Sequence, residues 1–276
     1  MEDKPFWVFN KANQNYDYVI GGSSRAYNNA DIVTIDRTLG RRGINIGFSG
    51  SALAENYLTL YLFLKKGNKT KNYLLQLDDW SLINPDSSFS YPFHEYYFFP
   101  YMSDQEVCTI IRENRPYIKY LVWKYLPFVK YSEFNNIFPF QNSLKTVPSV
   151  FDSLMGTGLL AGKHKDSEGL LIEHKLYRNN LKYLDKIIQL CKAKKINLLF
   201  YTSPIYDKFF TQLKRDECRA CIDSINKVHS IKYLNFALDP HFKDTALLYN
   251  ETHLNMAGTI LFSGLLADSL TKYLKK

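Results

Sequence analysis

Strand-like and helix-like segments alternate along this chain, and the alternation constrains its fold more than any other feature. Short β-prone runs are separated by stretches in which apolar residues recur every three or four positions. Such a chain forms a parallel sheet, because each crossover returns it to the same end of the sheet. We therefore expect an α/β fold, a three-layer flavodoxin-like sandwich. Its central five-stranded parallel sheet is predicted at residues 16–21, 43–47, 72–78, 196–202 and 231–236.

Glycine, hydroxyl and acidic residues come directly at the ends of the predicted strands. Ser24 follows the first strand, Gly47 follows the second, and Asp78 closes the third. Ligands of open parallel sheets bind outside the carboxyl ends of the strands. His253 lies on the long segment after the fifth strand, so we expect it to reach the same edge of the sheet.

Two short segments at opposite ends of the chain contain the candidate catalytic residues. Residues 16–25 read Tyr-Asp-Tyr-Val-Ile-Gly-Gly-Ser-Ser-Arg, and the glycines allow a sharp turn that presents a hydroxyl among backbone N–H groups. Residues 249–255 read Tyr-Asn-Glu-Thr-His-Leu-Asn before an apolar-periodic stretch, so Asn255 is the expected N-cap of a helix. Each segment alone is explained by a plain turn or a helix-capping histidine. Their joint occurrence indicates an acyl-transfer site.

Together these segments resemble the SGNH (GDSL-like) hydrolase and acyltransferase superfamily, in which Gly-Asp-Ser or Gly-Ser-Ser follows the first strand and Asp-x-x-His precedes the last helix. The resemblance implies that Ser24 is the nucleophile and His253 the general base. It extends to Asn-Ile-Gly-Phe-Ser-Gly at residues 45–50, where the Gly47 amide is the implied oxyanion donor. Arg25 is interpreted as a ligand for an anionic sugar or phosphate, or as the salt-bridge partner of Asp36 or another surface acid.

The chain departs from that family at two positions. Asp78 stands where the family has an Asn oxyanion donor, and an ionised carboxylate cannot donate a hydrogen bond. Asn250 stands three residues before His253 in place of Asp, and its amide oxygen can hold the ring but brings no charge. Three hypotheses follow. A neighbouring acid such as Glu251 or Asp244 substitutes, a Ser-His dyad suffices for slow transfer, or the site binds ligand without turnover.

The resemblance implies a serine-dependent acyl-ester hydrolase or O-acyltransferase that works through a Ser24 acyl-enzyme. Members with a Gly-Ser-Ser-Arg block and an aromatic insertion are similar to bacterial envelope proteins that add or remove acyl groups on polysaccharides. A glycan or an acylated small molecule is the implied substrate, and a membrane-bound protein is the implied acyl donor. The alternative is a non-catalytic protein on a degenerate hydrolase fold, which binds glycan or scaffolds an acylation complex. A phosphate-binding loop ranks last, because G-x-G-x-x-G and a Walker lysine are missing.

Residues 83–170 exceed what a minimal five-stranded core requires. We expect a single domain over residues 1–276, with this segment inserted as a cap or lid. Residues 91–140 are dense in aromatic side chains interleaved with Lys and Arg. Such a mixture can stack on sugars, bury acyl chains or lie at a membrane interface. The plainer interpretation is an aromatic mini-core packed over the sheet.

Charge and cysteine usage exclude several classes of protein. The net charge of +8 is scattered, without an RNP-like string or a long basic run, so no nucleic-acid partner is expected. The pair Cys218-x-x-Cys221 lacks a second pair and a histidine at zinc spacing, so we expect core thiols and no metal or cofactor. Without an apolar run of about 18 residues or a signal peptide, the chain as written is expected to be soluble. It would be cytoplasmic, or envelope-facing with an anchor upstream of Met1.

Overall fold

Five parallel strands form the centre of the fold, as the alternation predicts. The computed structural model describes residues 4–82, 92–126, 128–129, 150–164, 178–206 and 216–274. The strands are β1 (Asn15–Gly21), β2 (Gly43–Asn45), β3 (Lys69–Gln76), β4 (Asn197–Thr202) and β5 (Lys232–Asn235). The α-helices of the described residues are α1 (Lys4–Asn10), α2 (Ser24–Asn29), α3 (Ile32–Leu39), α4 (Leu53–Lys65), α5 (Gln105–Glu113), α6 (Tyr117–Tyr125), α7 (Val150–Ser153), α8 (Arg178–Ala193), α9 (Asp216–His229) and α10 (Met256–Leu270). Segments of 3₁₀ helix lie at Asp79–Leu82, Pro92–Tyr101, Pro240–Phe242 and Thr245–Leu247.

The order of the strands reverses beside β1. The strands follow the order β2-β1-β3-β4-β5, and all neighbours are parallel. From β1 the chain moves outward to β2 on one side and through β3, β4 and β5 on the other. Ligand crevices form where the order reverses in this way. Gly21 pairs with Leu75, and Gln76 pairs with Tyr201, so β1, β3 and β4 end side by side.

The sheet is covered by helices on both faces. On β3, Tyr73 and Leu75 belong to one hydrophobic cluster and Leu74 to the other, which is the two-residue alternation of a strand. Helices α1, α4 and α8 supply residues to the first cluster, and α3 and α10 supply residues to the second. Strands buried on both faces are typical of parallel sheets. The three-layer α/β sandwich predicted from the sequence is therefore confirmed.

The described part of the predicted insertion packs against the first of these faces. The ring of Phe98 lies 5.7 Å from that of Phe9, and the ring of Phe99 lies 4.9 Å from that of Trp123. These residues form an aromatic core, as the plainer interpretation states. Residues 83–91 and most of 127–149 and 165–177 lie outside the described residues. The division into one domain over 1–276 with a cap at 83–170 stays a prediction.

The described residues contain no membrane span, no metal-ligand cluster and no disulfide. None of the described helices combines the length and apolar character that crossing a bilayer requires. Within the same ranges, no group of three or more His, Cys, Asp or Glu side chains is placed to hold a metal ion. The cysteines are free thiols. Burial raises the pKa of Cys191 to about 12 and that of Cys218 to about 11, so these thiols are unreactive core residues.

Helix α10 begins as predicted, at the side chain of Asn255. Its Oδ1 accepts a hydrogen bond of 3.0 Å from the N–H of Gly258. A Cβ at Gly258 would lie 2.1 Å from the carbonyl oxygen of Leu247, so only glycine lets the helix pack against this loop. The loop leads directly to His253, so this close approach fixes the histidine relative to the helix.

The glycines of α10 provide a matched pair for a stability experiment. We expect Gly258→Ala to lower the free energy of unfolding by about 1–3 kcal/mol, because the methyl group overlaps a backbone oxygen. Gly264→Ala should instead raise it by about 0.5–1 kcal/mol, because no atom lies within 4 Å of a Cβ there and alanine is the better helix former. Urea unfolding of both variants measures the difference. Equal effects would contradict the packing described.

Candidate active site

The turn between β1 and α2 presents Ser24 at the carboxyl edge of the sheet. Gly22 adopts a φ of 141°, which disfavours other residues, and a Cβ there would lie 2.7 Å from the Cβ of Gln76. Ser23 is the N-cap of α2 and its Oγ accepts from the N–H of Arg25 at 3.4 Å. Ser24 is consequently the first residue of the helix, where a backbone N–H has no partner within the helix. The hydroxyl and this N–H are presented together.

His253 reaches Ser24 from the other end of the chain. Its Nε2 lies 2.8 Å from the Oγ of Ser24, although the two residues are 229 positions apart in sequence. Burial, and to a smaller extent the positive charge of Arg25, lower the pKa of His253 to about 4. The ring is therefore neutral above about pH 5. A neutral imidazole can accept the serine proton.

Asn250 determines which nitrogen of His253 carries the proton. The Oδ1 of Asn250 accepts hydrogen bonds from the backbone N–H groups of Thr252, at 3.0 Å, and of His253, at 2.9 Å. Two donors face this atom, so it is the amide oxygen and not the nitrogen. The same oxygen lies 3.0 Å from Nδ1 of His253, so Nδ1 carries the hydrogen. The lone pair of Nε2 is thereby directed at the Ser24 hydroxyl.

No carboxylate takes the place of the missing aspartate among the described residues. The hydrogen-bond partners of Nδ1 in His253 are Asn250 and the hydroxyl of Thr252, the latter at 3.0 Å. Asp244 caps the 3₁₀ helix Thr245–Leu247 by accepting from the N–H of Ala246 at 2.9 Å. Glu251 is buried and forms no hydrogen bond with His253. The hypothesis of a substituting acid is therefore not supported, and the geometry is that of a Ser-His-Asn arrangement.

Gly47 lies against the turn that carries Ser24. A Cβ at Gly47 would lie 2.8 Å from the carbonyl oxygen of Gly22 and 2.9 Å from the Cβ of Ala26. The N–H of Gly47 donates to Oδ1 of Asn45 at 3.0 Å. Asn45 also donates to the carbonyl oxygen of Ala26 at 2.7 Å, which ties the end of β2 to α2. The oxyanion role of Gly47 stays a prediction, and it requires the amide to leave Asn45.

Asp78 and Arg25 form a buried ion pair next to the serine and histidine. The Nη1 of Arg25 lies 3.4 Å from Oδ1 of Asp78, and both side chains are almost fully buried. Thr202 donates a hydrogen bond from its hydroxyl to the same oxygen of Asp78. Arg25 also donates from Nε to the hydroxyl of Ser203 at 3.1 Å. The site thus contains an internal positive charge paired with an internal negative charge.

The structure corrects the sequence interpretation of Arg25. Its salt bridge is with Asp78 and not with Asp36, which accepts from the hydroxyl of Tyr18 at 2.6 Å and from the N–H of Gly43 at 2.8 Å. Arg25 is 2% exposed. A guanidinium buried to this degree is not presented to a ligand in solution, so its role as a ligand for an anionic group stays a prediction without support from this geometry.

Asn29 joins the helix of Ser24 to the loop of His253, and sequence analysis missed it. Its Nδ2 donates to the Ser203 hydroxyl at 2.9 Å and to the carbonyl oxygen of Thr252 at 3.3 Å, while its Oδ1 accepts from the N–H of Leu254 at 3.0 Å. These bonds hold the backbone on both sides of His253. No local motif marks Asn29, because its partners are distant in sequence.

Asn29→Ala should slow the reaction of Ser24 with an organophosphonate by about 10- to 100-fold, because the histidine loop loses its anchor and small misplacements are costly in catalysis. Asn28→Ala is the matched control, one residue earlier on the same helix. Thermal unfolding separates lost positioning from lost folding. Equal reaction rates in the Asn29 variant and the wild type would show that the loop carrying His253 keeps its position without the hydrogen bonds of Asn29.

The comparisons with known proteins give similarities of fold alone. No protein-family model and no curated protein matches the sequence. Among solved structures, the chain is similar to a proposed lipolytic protein of the G-D-S-L family from Desulfitobacterium hafniense DCB-2, with 9% identity, a TM-score of 0.47 and coverage of 91% of this chain and 98% of that one. It is also similar to a proposed acylhydrolase from Bacteroides fragilis NCTC 9343, with 9% identity, a TM-score of 0.44 and coverage of 96% and 90%. At these values the similarities carry no statement about the activity of this chain.

Proposed function

We propose that this protein is a serine-dependent acyl-ester hydrolase or O-acyltransferase that acts on a glycan or another acylated envelope component. The observation that carries the proposal is the hydrogen bond of 2.8 Å between Nε2 of His253 and Oγ of Ser24, with Nδ1 of His253 held by Asn250. A nucleophile, a base and a group that orients the base are the parts that acyl transfer needs.

The reaction follows from the positions of these atoms. His253 accepts the proton of Ser24 through Nε2 while Oγ attacks the ester carbonyl carbon. The negative charge on the carbonyl oxygen falls near the N–H of Ser24 at the start of α2, with Gly47 as the second proposed donor. The imidazolium then returns the proton to the leaving alcohol, and an acyl-Ser24 ester remains. Water or a sugar hydroxyl, deprotonated by His253, attacks this ester and frees the serine.

A catalytically weak or inactive protein that binds glycan or scaffolds an acylation complex is the second candidate. Two observations favour it. The pKa of His253 is about 4, which makes the ring a weak base, and Asn250 supplies no negative charge to stabilise the imidazolium. Asp78 is engaged with Arg25 and replaces a hydrogen-bond donor of the resembled family with an acceptor.

Burst kinetics with a p-nitrophenyl ester test the proposal. We expect one equivalent of p-nitrophenol per protein in a fast phase, and an acyl group on Ser24 by mass spectrometry. Addition of an oligosaccharide then distinguishes the two reactions, since a transferase yields acylated sugar and a hydrolase yields free acid. Absence of the burst in folded protein, together with retained binding of oligosaccharide, would support the second candidate.

The pH profile tests the state of His253. Because its pKa is lowered to about 4, protonation disables the base only as the pH falls toward 4, and kcat/KM should be flat from pH 5.5 to 8. A histidine with an ordinary pKa of about 6.5 would instead reduce kcat/KM to half its maximum at about pH 6.5. Asn250→Asp should raise the pKa, because a carboxylate at Nδ1 favours the imidazolium, and should move the acidic limb upward. A limb near pH 6.5 in the wild type would contradict the site described.

A further inference from the structure

One exposed apolar surface has no role in the chemistry described above. It consists of side chains of α6 and of the residues after it, and we refer to it as the α6 face. Ile118 is 77% exposed and Phe128 is 88% exposed. The other members are more than 40% exposed and are Tyr117, Tyr125, Leu126 and Val129. Contiguous exposed apolar surface is uncommon on soluble proteins and marks interaction sites.

The orientation of α6 is fixed by its packing against other described residues. Tyr120 and Trp123 are buried on its inner side, where Trp123 contacts Phe99. Residues three or four apart share one side of a helix. Ile118 and Tyr125, seven positions apart, therefore lie on the opposite, outer side from Tyr120 and Trp123.

Positive charge borders the α6 face on both sides. At 100° per residue, Lys119 and Lys124 fall on opposite flanks of the stripe that Ile118 and Tyr125 define. The Nζ of Lys119 lies 4.8 Å from the centre of the Trp123 ring, and that of Lys124 lies 5.4 Å from the Tyr125 ring. Residues 115–130 include no Asp or Glu in the sequence. The surface is therefore apolar at its centre and cationic at its edges.

We propose that the α6 face docks onto an anionic lipid surface. Aromatic and aliphatic side chains flanked by lysines are the pattern of helices that lie in the headgroup region, with lysine stems extending toward phosphates. The absence of acidic residues along the segment suits a negatively charged partner and argues against a second copy of this basic face. The proposal is independent of the proposed catalytic function, since it uses none of the site residues.

Cosedimentation with vesicles tests the proposal. The full chain should bind vesicles of equal parts phosphatidylglycerol and phosphatidylcholine, and bind pure phosphatidylcholine much less. Ile118→Ser with Phe128→Ser should reduce partition at least ~10-fold, because the inserted apolar groups are lost. Lys119→Gln with Lys124→Gln should reduce partition to the anionic vesicles by about 10- to 30-fold, at about 1 kcal/mol per lysine.

Val228 provides a matched control, and light scattering provides a second assay. Val228→Ser removes an apolar side chain that is 72% exposed on a different helix, α9, and should leave partition unchanged. Wild type that stays in solution with anionic vesicles would overturn the proposal, as would equal losses in the α6 and Val228 variants. Light scattering measures the oligomeric state, which shows whether a second copy of the chain occupies the α6 face. A dimer that Ile118→Ser dissociates would assign the face to a second copy of the chain.

Discussion

Replacing His253 with alanine is expected to slow p-nitrophenyl ester turnover by about 10²- to 10⁴-fold, the range that a positioned general base contributes. The reason is geometric. Nε2 of His253 accepts the Ser24 hydroxyl at 2.8 Å. The pKa of His253 near 4 leaves that nitrogen unprotonated at neutral pH. Without the ring, the serine keeps its proton and attacks the ester far more slowly. Initial rates at pH 7.5 on wild type and variant give the ratio.

His241 offers a matched control for this experiment. It is an exposed histidine beside Asp239, with Nδ1 at 2.7 Å from that carboxylate, and it makes no hydrogen bond to the site. His241→Ala should keep the wild-type rate. A loss shared by both variants, or a rate unchanged in His253→Ala, would remove the base from the proposed reaction and would leave the binding function as the better account.

The second large effect concerns the ion pair beside the site. We expect Asp78→Ala to lower the free energy of unfolding by about 3–5 kcal/mol, because it leaves the Arg25 guanidinium buried without its counter-charge. Arg25 cannot reach solvent to recover hydration, since its side chain is 3% exposed. Urea unfolding monitored by tryptophan fluorescence measures the loss.

A double-mutant cycle shows whether the loss comes from the pair. Asp78→Leu combined with Arg25→Met removes both charges, and it should cost clearly less than the sum of the two single variants. Asp36→Ala is a control for the partner that sequence analysis considered, and its effect should add independently to that of Arg25→Met. Coupling between Arg25 and Asp36 in place of Asp78 would contradict the arrangement described.

Local pattern was sufficient to predict the sheet and its ends. The apolar runs at Val19 and at Leu74 belong to strands buried on both faces, so their signal is strong. The first and last residues of the strands were predicted less accurately. Strand β3 begins at Lys69 and not at residue 72. Its polar first residues pair with β1 where both strands begin, at the exposed end of the sheet, so they lack the apolar pattern of a strand. Strand β2 ends at Asn45 and not at residue 47.

Contacts between side chains that are distant in sequence could not be predicted from local sequence patterns. The pairing of Ser24 with His253 could be proposed because both lie in motifs, whereas Asn29 lies in none and acts through residues more than 170 positions away. The pairing of Arg25 with Asp78 depends on β1 and β3 being adjacent, which the order of the chain does not give. The tautomer of His253 depends on two backbone N–H groups that face Asn250.

The central claim is that Ser24 is an activated nucleophile, and fluorophosphonate labelling tests it most directly. The neighbouring Ser23 provides an internal comparison, because its hydroxyl donates to Oε1 of Gln76 at 3.0 Å and, within the described ranges, forms no hydrogen bond with a histidine. Fragmentation of the labelled peptide by mass spectrometry locates the adduct to one residue. We predict an adduct on Ser24 in the wild type and none on Ser23. Folded wild-type protein that stays unlabelled, or an adduct on Ser23, would contradict the claim.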